Sequence, residues 1–444
     1  MTQSQPKTKN CSRKDFPKRS IGTMLFSILI PTGGNRPVLI AMAVRSVLSQ
    51  TCQDFEVVVA DVRGSAETRE SVLASGDSRI RYFVVPQGRG PNYSFDYSAL
   101  QARGRYILWL DDDNYLLPRA LAVFKSAIDS HDSPDIVTAS HLYYYDDVHP
   151  RHHLRNHLGI VPFDGRVRAV NPREIIAALF SFAHRGGQGE MPRFHTSATA
   201  VSREVVERAF ARLGTVVFES MPTNHSQQPI LLAFARSCVF VDVPVVLVGR
   251  FGISMSQAWS TAARERFKRE PFPLAESPLI APTYSNALLE NFLRVKKALP
   301  ELLGDVPIRL NRLLDMYLDE WVYLDMAAAD FFRNWVNLFR VIGTLDEQER
   351  RSIRARARLA LPRGAMVFLA RWLCVNHYWR ALYGARRRAQ ATTISPREKM
   401  RRGVEFEVPY ARYKVRTIED LGCRAREVIF AECGVDIAVA EYHA

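Results

Sequence analysis

Four short apolar runs, each separated from the next by a stretch of helical length, dominate the first quarter of the chain: "FSILIP" (26–31), "FEVVVAD" (55–61), "IRYFVV" (80–85) and "YILWL" (106–110). The first two flank "RPVLIAMAVRSVLSQ" (36–50), which has helical periodicity with Pro37 near its first turn. Further helices are predicted near 67–74 and 94–102. Runs this apolar are buried on both faces, and crossover helices between them build a mostly parallel sheet covered on both sides. Ligands of such sheets gather at the carboxyl ends of the strands. Pro31, Thr32, Asp61 and Asp111 to Asp113 all fall at such ends, so they share one rim. The loop "PQGRGPN" (86–92) carries Gly88 and Gly90 at phosphate-loop spacing, but the pattern stops there and a tight turn is the better reading.

The stretch "YILWLDDDNYLLP" (106–118) places three carboxylates at the mouth of a hydrophobic core. Unit charges about 5 Å apart at an effective dielectric near 20 repel by roughly 3 kcal/mol per pair, so something must offset them. Bulk water does so if the triplet is a polar loop capping a helix that starts near Pro118. A divalent cation does so if the triplet binds a ligand, because hard oxygen donors suit Mg2+ or Mn2+, which take one or two carboxylates plus substrate phosphates. In isolation the triplet is compatible with both.

At 444 residues and 47% apolar, the chain holds one large domain and a second unit. The six cysteines are scattered without metal-ligand spacing, and the expected compartment is the cytosol. A disordered basic tail is expected over 1–23, with no apolar leader and no run long enough to span a bilayer. An α/β domain is expected over 24–270, an α-helical extension over 283–390 and a C-terminal tail over 391–444. Within the first domain, "CVFVDVPVVLVG" reads as two strands broken at Pro244, and "REVVERAFARL" as an amphipathic helix capped by Ser202. "HPRHHLRNH" (149–157) reads as a polar loop rather than a metal site. The net charge of +14 is concentrated in 350–402, with 15 Lys and Arg against the single acid Glu398. Arginines there alternate with Trp, Tyr and Leu, a composition that suits an anionic membrane surface. A nucleic-acid patch is the disfavoured alternative, and a self-packed bundle with solvated arginines is the bland one.

Taken in order, "SILIPTGGNRP", "AVRSVLSQT", "FEVVVAD", "ARGRYILWLDDDNYLLP" and "VDVPVVLVGRFGISMS" resemble the family 2 glycosyltransferases of the GT-A fold over roughly residues 24–260. The resemblance implies transfer of a sugar from a nucleotide-diphosphate donor, a UDP-sugar favoured, to a glycan or lipid-linked acceptor, usually with inversion. It implies that Pro31 and Thr32 line the nucleotide pocket, that Asp61 meets the base, and that Asp111, Asp112 and Asp113 form the D-x-D motif with Asp113 as ligand of Mn2+ or Mg2+. Arg250 stands where relatives present groups to the donor phosphates or the acceptor; as a surface Arg at a strand end it is equally well explained. The chain also departs from the family. Gln227 and Gln228 occupy the positions of an acid pair that supplies the general base, leaving Glu219 and His225 as the nearest substitutes. Phe95 and Asp96 replace an Arg-Asn pair, with Asp96 still able to touch the donor. Two rivals follow: a degenerate GT-A domain that binds nucleotide-sugar without turnover, and a sugar-nucleotide pyrophosphorylase, which needs more basic residues than "PTGGNRP" supplies. The expected location is cytoplasmic, peripheral on the inner face of a membrane.

Overall fold

The computed structural model describes residues 24–87, 92–149, 152–182, 194–218, 224–251, 275–281, 283–321, 328–351, 353–354, 395–402, 405–413 and 415–435. Strand β1 (Phe26–Thr32) lies between β2 (Phe55–Asp61) and β4 (Tyr106–Trp109), with β3 (Ile80–Val84) beyond β2, and all four run parallel. Every residue of β1, β2 and β4 is buried, as continuous apolar strands require. The register sets Thr32 opposite Asp61, so these two close adjacent strands at the same height.

Side chains alternate across the sheet. Phe26, Ile28 and Ile30 of β1 pack with Ile40, Val44 and Val47 of α1 (Pro37–Leu48) and with Leu121 and Phe124 of α4 (Ala120–Ser130). Leu29, from the same strand, joins a second core with Ile107 and Trp109. That core continues into the helical region, where Phe292 of α8 (Tyr284–Ala298), Tyr317 of α10 (Leu310–Trp321) and Leu338 of α11 (Ala328–Gly343) belong to it. The other described helices up to α11 are α2 (Ala66–Leu73), α3 (Tyr93–Gln101), α5 (Pro172–Phe180), α6 (Arg203–Leu213) and α7 (Asn224–Phe234) in the α/β part, and the short α9 (Pro300–Leu303) after α8. Ser202 caps α6 by accepting from Val205 N, as expected. The helical extension therefore grows from the α/β core and shares its interior.

Beyond β4 the sheet becomes mixed. Strand β9 (Thr199–Ser202) runs antiparallel to β4 and to the long β6 (Ile136–Tyr145), whose far half pairs with β7 (His157–Ile160). On its other edge β6 pairs in parallel with β10 (Cys238–Arg250). The expected break at Pro244 is a correction: β10 is one strand of 13 residues, and its register slips around Pro244. Proline has no N–H for the ladder, and a bulge absorbs it without ending the strand. Before the slip β10 pairs with β8 (Val167–Val170); after it, with β5 (Tyr115–Leu116).

A second correction concerns the chain's end. Residues expected as a tail add strand β11 (Phe406–Pro409) to the edge of β7, flanked by α12 (Pro396–Arg401) and α13 (Ile418–Cys433). Phe406, Val408, Tyr410, Leu421 and Ile429 form a third core with Tyr115, Tyr144 and Leu247. The Tyr410 ring stacks on Tyr144 with centroids 5.5 Å apart, and its hydroxyl donates to Tyr145 O at 2.8 Å. The capping box at Thr417 and Asp420 starts α13 where it meets this surface.

Gly422 tests that docking. A Cβ there would fall 2.1 Å from Cε1 of the buried Tyr115 ring. Gly→Ala stabilises an open helix position by about 1 kcal/mol. At this contact Gly422→Ala is expected to destabilise by about 1–3 kcal/mol, the overpacking range. Urea unfolding reads the sign directly.

Candidate active site

The rim forms where β1, β2 and β4 end. Thr32 closes β1 and donates from Oγ1 to Asp112 Oδ2 at 2.6 Å, while the same hydroxyl accepts from Gly34 N at 3.1 Å. Arg36 follows that turn immediately before Pro37 opens α1, and its guanidinium forks across the triplet. Nη1 meets Asp113 Oδ2 at 2.9 Å and Nη2 meets Asp112 Oδ1. Asp112 is buried; Asp111 and Asp113 are only partly covered. Burial pushes the Asp112 carboxyl up and Asp113 adds to the rise, while Arg36 and Thr32 pull it back, to about 6. Burial works against the charge of Arg36, but Asp113 and Asp112 hold it above the ordinary arginine value.

The triplet is fastened from its far side by Asn114. Its Nδ2 donates to Ser197 Oγ at 2.8 Å and to Asp111 Oδ2 at 3.4 Å, and its Oδ1 accepts from Gly249 N at 2.9 Å. The acid loop, the 3-10 turn Thr196–Ala198 and the end of β10 are thus tied through one carboxamide. Arg250 follows Gly249, lies 4.7 Å over the Tyr143 ring, and places positive charge near His195. Burial first, then Arg250, pushes the His195 imidazole down to about 3. Its Nδ1 accepts from Ser197 N at 3.2 Å, so the ring is neutral with its proton on Nε2.

The other expected residues are placed as follows. Pro31 is buried on β1, opposite Ala60. Asp61 is fully buried beneath Gly34, whose φ of +70° and absent side chain permit the approach: a Cβ would fall 2.2 Å from Asp61 Oδ1. Its carboxylate accepts from Arg63 N at 2.8 Å, Ser65 N at 3.2 Å and Tyr82 OH at 2.6 Å, three of about four lone-pair positions. Asp96, in the first turn of α3, accepts from Thr215 Oγ1 at 2.6 Å and Val216 N at 2.9 Å, anchoring the turn after α6. His225 meets Tyr284 OH at 2.6 Å through Nε2, joining α7 to α8. Gln227 and Gln228 are buried one turn into α7, and neither Gln227 amide atom has a hydrogen-bond partner among the described residues. Glu219, Gly88 and Gly90 lie outside the described residues, as do 1–23 and most of the basic block (355–394).

Carboxylate oxygens at a half-covered rim are the donor type a hard cation requires, so the triplet fits Mg2+ or Mn2+, with the half-buried Asp113 and Asp111 as the accessible arms. No cluster of three or more His, Cys, Asp or Glu side chains converges as a ready-made metal cage among the described residues. The donor set would have to be completed by a ligand's own oxygens, as Mg2+ usually prefers.

A mostly parallel sheet with acids on its carboxyl rim, a guanidinium forked across two of them and a mixed extension defines an α/β domain whose candidate site lies at the strand ends. The profile of Glycosyl transferase family 2 matches residues 27–210, from β1 through most of α6. Over 99 residues it is 37% identical to the GalNAc(5)-diNAcBac-PP-undecaprenol beta-1,3-glucosyltransferase of Campylobacter jejuni, covering 22% of this chain and 32% of that one. Over 97 residues it is 33% identical to the UDP-Glc:alpha-D-GlcNAc-diphosphoundecaprenol beta-1,3-glucosyltransferase WfgD of Escherichia coli, covering 22% and 38%. The matched stretch thus spans well under half of either relative. Among solved structures, S. aureus TarS 1–349 in complex with UDP-GlcNAc aligns over 79% of this chain and 92% of its own, at 16% identity and a TM-score of 0.47.

Arg36, Asn114, Ser197 and His195 were not among the sequence-derived site residues. Arg36 had a usable signal, since a residue between a strand end and a proline-initiated helix stands at the ligand rim by construction. Ser197 and His195 had none, because their approach depends on a turn that lies 83 residues beyond Asn114.

Two predictions follow from this geometry. Gly249→Ala would bring a Cβ within 2.1 Å of Asp113 O and must shift the acid loop. It is expected to reduce ligand binding at the rim about tenfold or more, read by calorimetry, with near-native far-UV circular dichroism. For His195, the native pKa lies below the unfolded value near 6.5, so its contribution to stability is present above about pH 6.5 and is lost as pH falls toward 3. Unfolding between pH 4 and 6 should take up close to one more proton in the wild type than in His195→Gln, measured from the pH dependence of urea-unfolding free energy.

Proposed function

We propose that this chain is a glycosyltransferase that moves a sugar from a nucleotide-diphosphate donor, a UDP-sugar in the favoured case, to a hydroxyl of a lipid-linked glycan acceptor. We read the transfer as inverting and as dependent on Mn2+ or Mg2+ at Asp113. The observation that carries the reading is the convergence of Thr32, Asp61, Asp111 to Asp113 and Arg36 at the carboxyl ends of adjacent strands, within the stretch that the family 2 profile matches. The names of the two relatives supply the acceptor class, since both specify a diphosphoundecaprenol carrier.

The chemistry asks for stabilisation of negative charge on a departing diphosphate, which a bound cation supplies as a Lewis acid. Arg250 is suited to the same anion, because a guanidinium offers two parallel donors to phosphate oxygens. Thr32 and Asn114 hold the acid loop so that its carboxylates are oriented before the ligand arrives, which favours catalysis by preorganisation. On the acceptor side a general base must take the hydroxyl proton. Gln227 and Gln228 cannot. His225, hydrogen-bonded to Tyr284, is the base candidate among the described residues, and Glu219 is the carboxylate alternative. Residues 350–402 are our candidate for contact with an anionic membrane, where a lipid-linked acceptor resides; among the described residues no helix is long and apolar enough to cross one.

The test is release of nucleoside diphosphate from a panel of nucleotide sugars with Mn2+, with and without EDTA. Slow release that EDTA abolishes and that Asp113→Asn lowers at least a hundredfold is the expected result. The buried glutamines favour one other reading, a domain that binds donor without turnover. Tight UDP binding by calorimetry with no release from any sugar nucleotide, even with a diphospho-lipid acceptor in detergent, would establish that reading instead.

A further inference from the structure

Two of the three rim carboxylates are already bridged by a cation that belongs to the chain. Arg36 reaches Asp113 Oδ2 at 2.9 Å through one nitrogen and Asp112 Oδ1 through the other, and it keeps only 18% of its side-chain exposure in doing so. The arms of the fork are unequal. Asp112 is 2% exposed and its second oxygen accepts from Thr32, so leaving Arg36 would strand a buried carboxylate. Asp113 is 12% exposed and stands at the edge, where water or a ligand can replace the guanidinium at lower cost. One arm is an anchor and the other a latch.

We propose that Arg36 is the resident counter-cation of the acid loop, holding Asp113 until a divalent cation displaces that arm, so that Arg36 sets how tightly and how selectively the loop takes metal. This rests on the reading of Asp113 as a metal ligand. The physical basis is competition. A guanidinium and a divalent cation cannot both occupy the same carboxylate oxygen, and a positive charge a few ångströms from the metal weakens its binding further. Displacement is energetically accessible because Arg36 retains Asp112 throughout and need not enter solvent. Once released from Asp113, the free face of the guanidinium stands beside the acid loop, where it can donate to an anionic ligand brought in with the metal. Arg36 is thus a positioning residue that couples metal entry to anion entry. It lies at the N-cap position of α1, which lacks a side-chain cap, so its side chain is not needed to satisfy the helix end.

The experiment is Mn2+ binding to the full chain without nucleotide, by calorimetry and by electron paramagnetic resonance of free Mn2+. Arg36→Gln is expected to tighten Mn2+ binding by about tenfold, the effect of removing one competing charge at close range. Arg36→Lys keeps the charge but cannot fork across two carboxylates, and should tighten binding by a smaller factor. A merely structural role would move affinity the other way, because a distorted loop binds metal less well. Mn2+ affinity unchanged or weakened in Arg36→Gln overturns the proposal, as does no detectable Mn2+ binding in either protein. Should Arg36→Gln fail to fold by circular dichroism, Arg36→Lys decides alone, and an affinity equal to wild type overturns it. These outcomes are separable from the transferase reading, which is judged by nucleoside diphosphate release and survives if release occurs without metal.

Discussion

Three adjacent carboxylates at the carboxyl end of a buried strand are unfavourable unless something countermands their repulsion, and the surrounding structure is arranged around that need. Thr32 and Arg36 act on the triplet from the β1 side, Asn114 and Gly249 from the β10 side. The loop is therefore held between two strands that are far apart in sequence. Neutralisation by a forked arginine leaves Asp112 as a fixed member of the core and Asp113 as the member that can exchange partners. A carboxylate buried to that degree would otherwise be protonated near neutral pH, and its charge survives because a partner and a hydroxyl are in contact with it.

The same division explains what sequence reading recovered. Strands β1, β2 and β4 were legible because they are buried on both faces, so their apolar runs are continuous and their ends are punctuated by Pro, Asp and Thr. Asp61 and the triplet were legible because strand ends in such a sheet point to one rim. The strand at Phe406–Pro409 was not, because "FEVP" is four residues long, alternates polar with apolar, and finds its partner in β7 roughly 250 residues earlier. An edge strand tolerates Pro409 and requires only one apolar face, so nothing in its composition separates it from a loop. Pro244 misled for the converse reason: in a strand long enough to carry a bulge, proline bends the ladder without ending it.

Residues that only position others were the hardest to foresee. Asn114 directly follows the triplet, yet its role is defined by Ser197 and Gly249, and no local pattern links those three. Asp96 adds a contact of the same kind. Its place near the start of α3 invites a ligand role, and the fold gives its carboxylate an anchoring one, to Thr215 and Val216, that no local pattern signals. Distinguishing the two requires knowing which backbone N–H groups lack partners nearby, and that is a property of the folded chain.

The acid loop also depends on the far end of the polypeptide. Directly after Asn114, the two residues of β5 pair with β10, and Tyr115 lies under Gly422 of α13, where a larger residue would collide with its ring. Tyr115 and Leu247 share their core with Leu421 and Ile429, so helix α13 presses on the strand pair that carries both the triplet and Arg250. A two-residue strand has too few ladder bonds to hold a charged loop by itself. Its rigidity must come from packing, and here that packing is contributed by residues 406–433. The C-terminal segment accordingly belongs to the architecture of the rim, because it packs on the strand pair that follows the carboxylates.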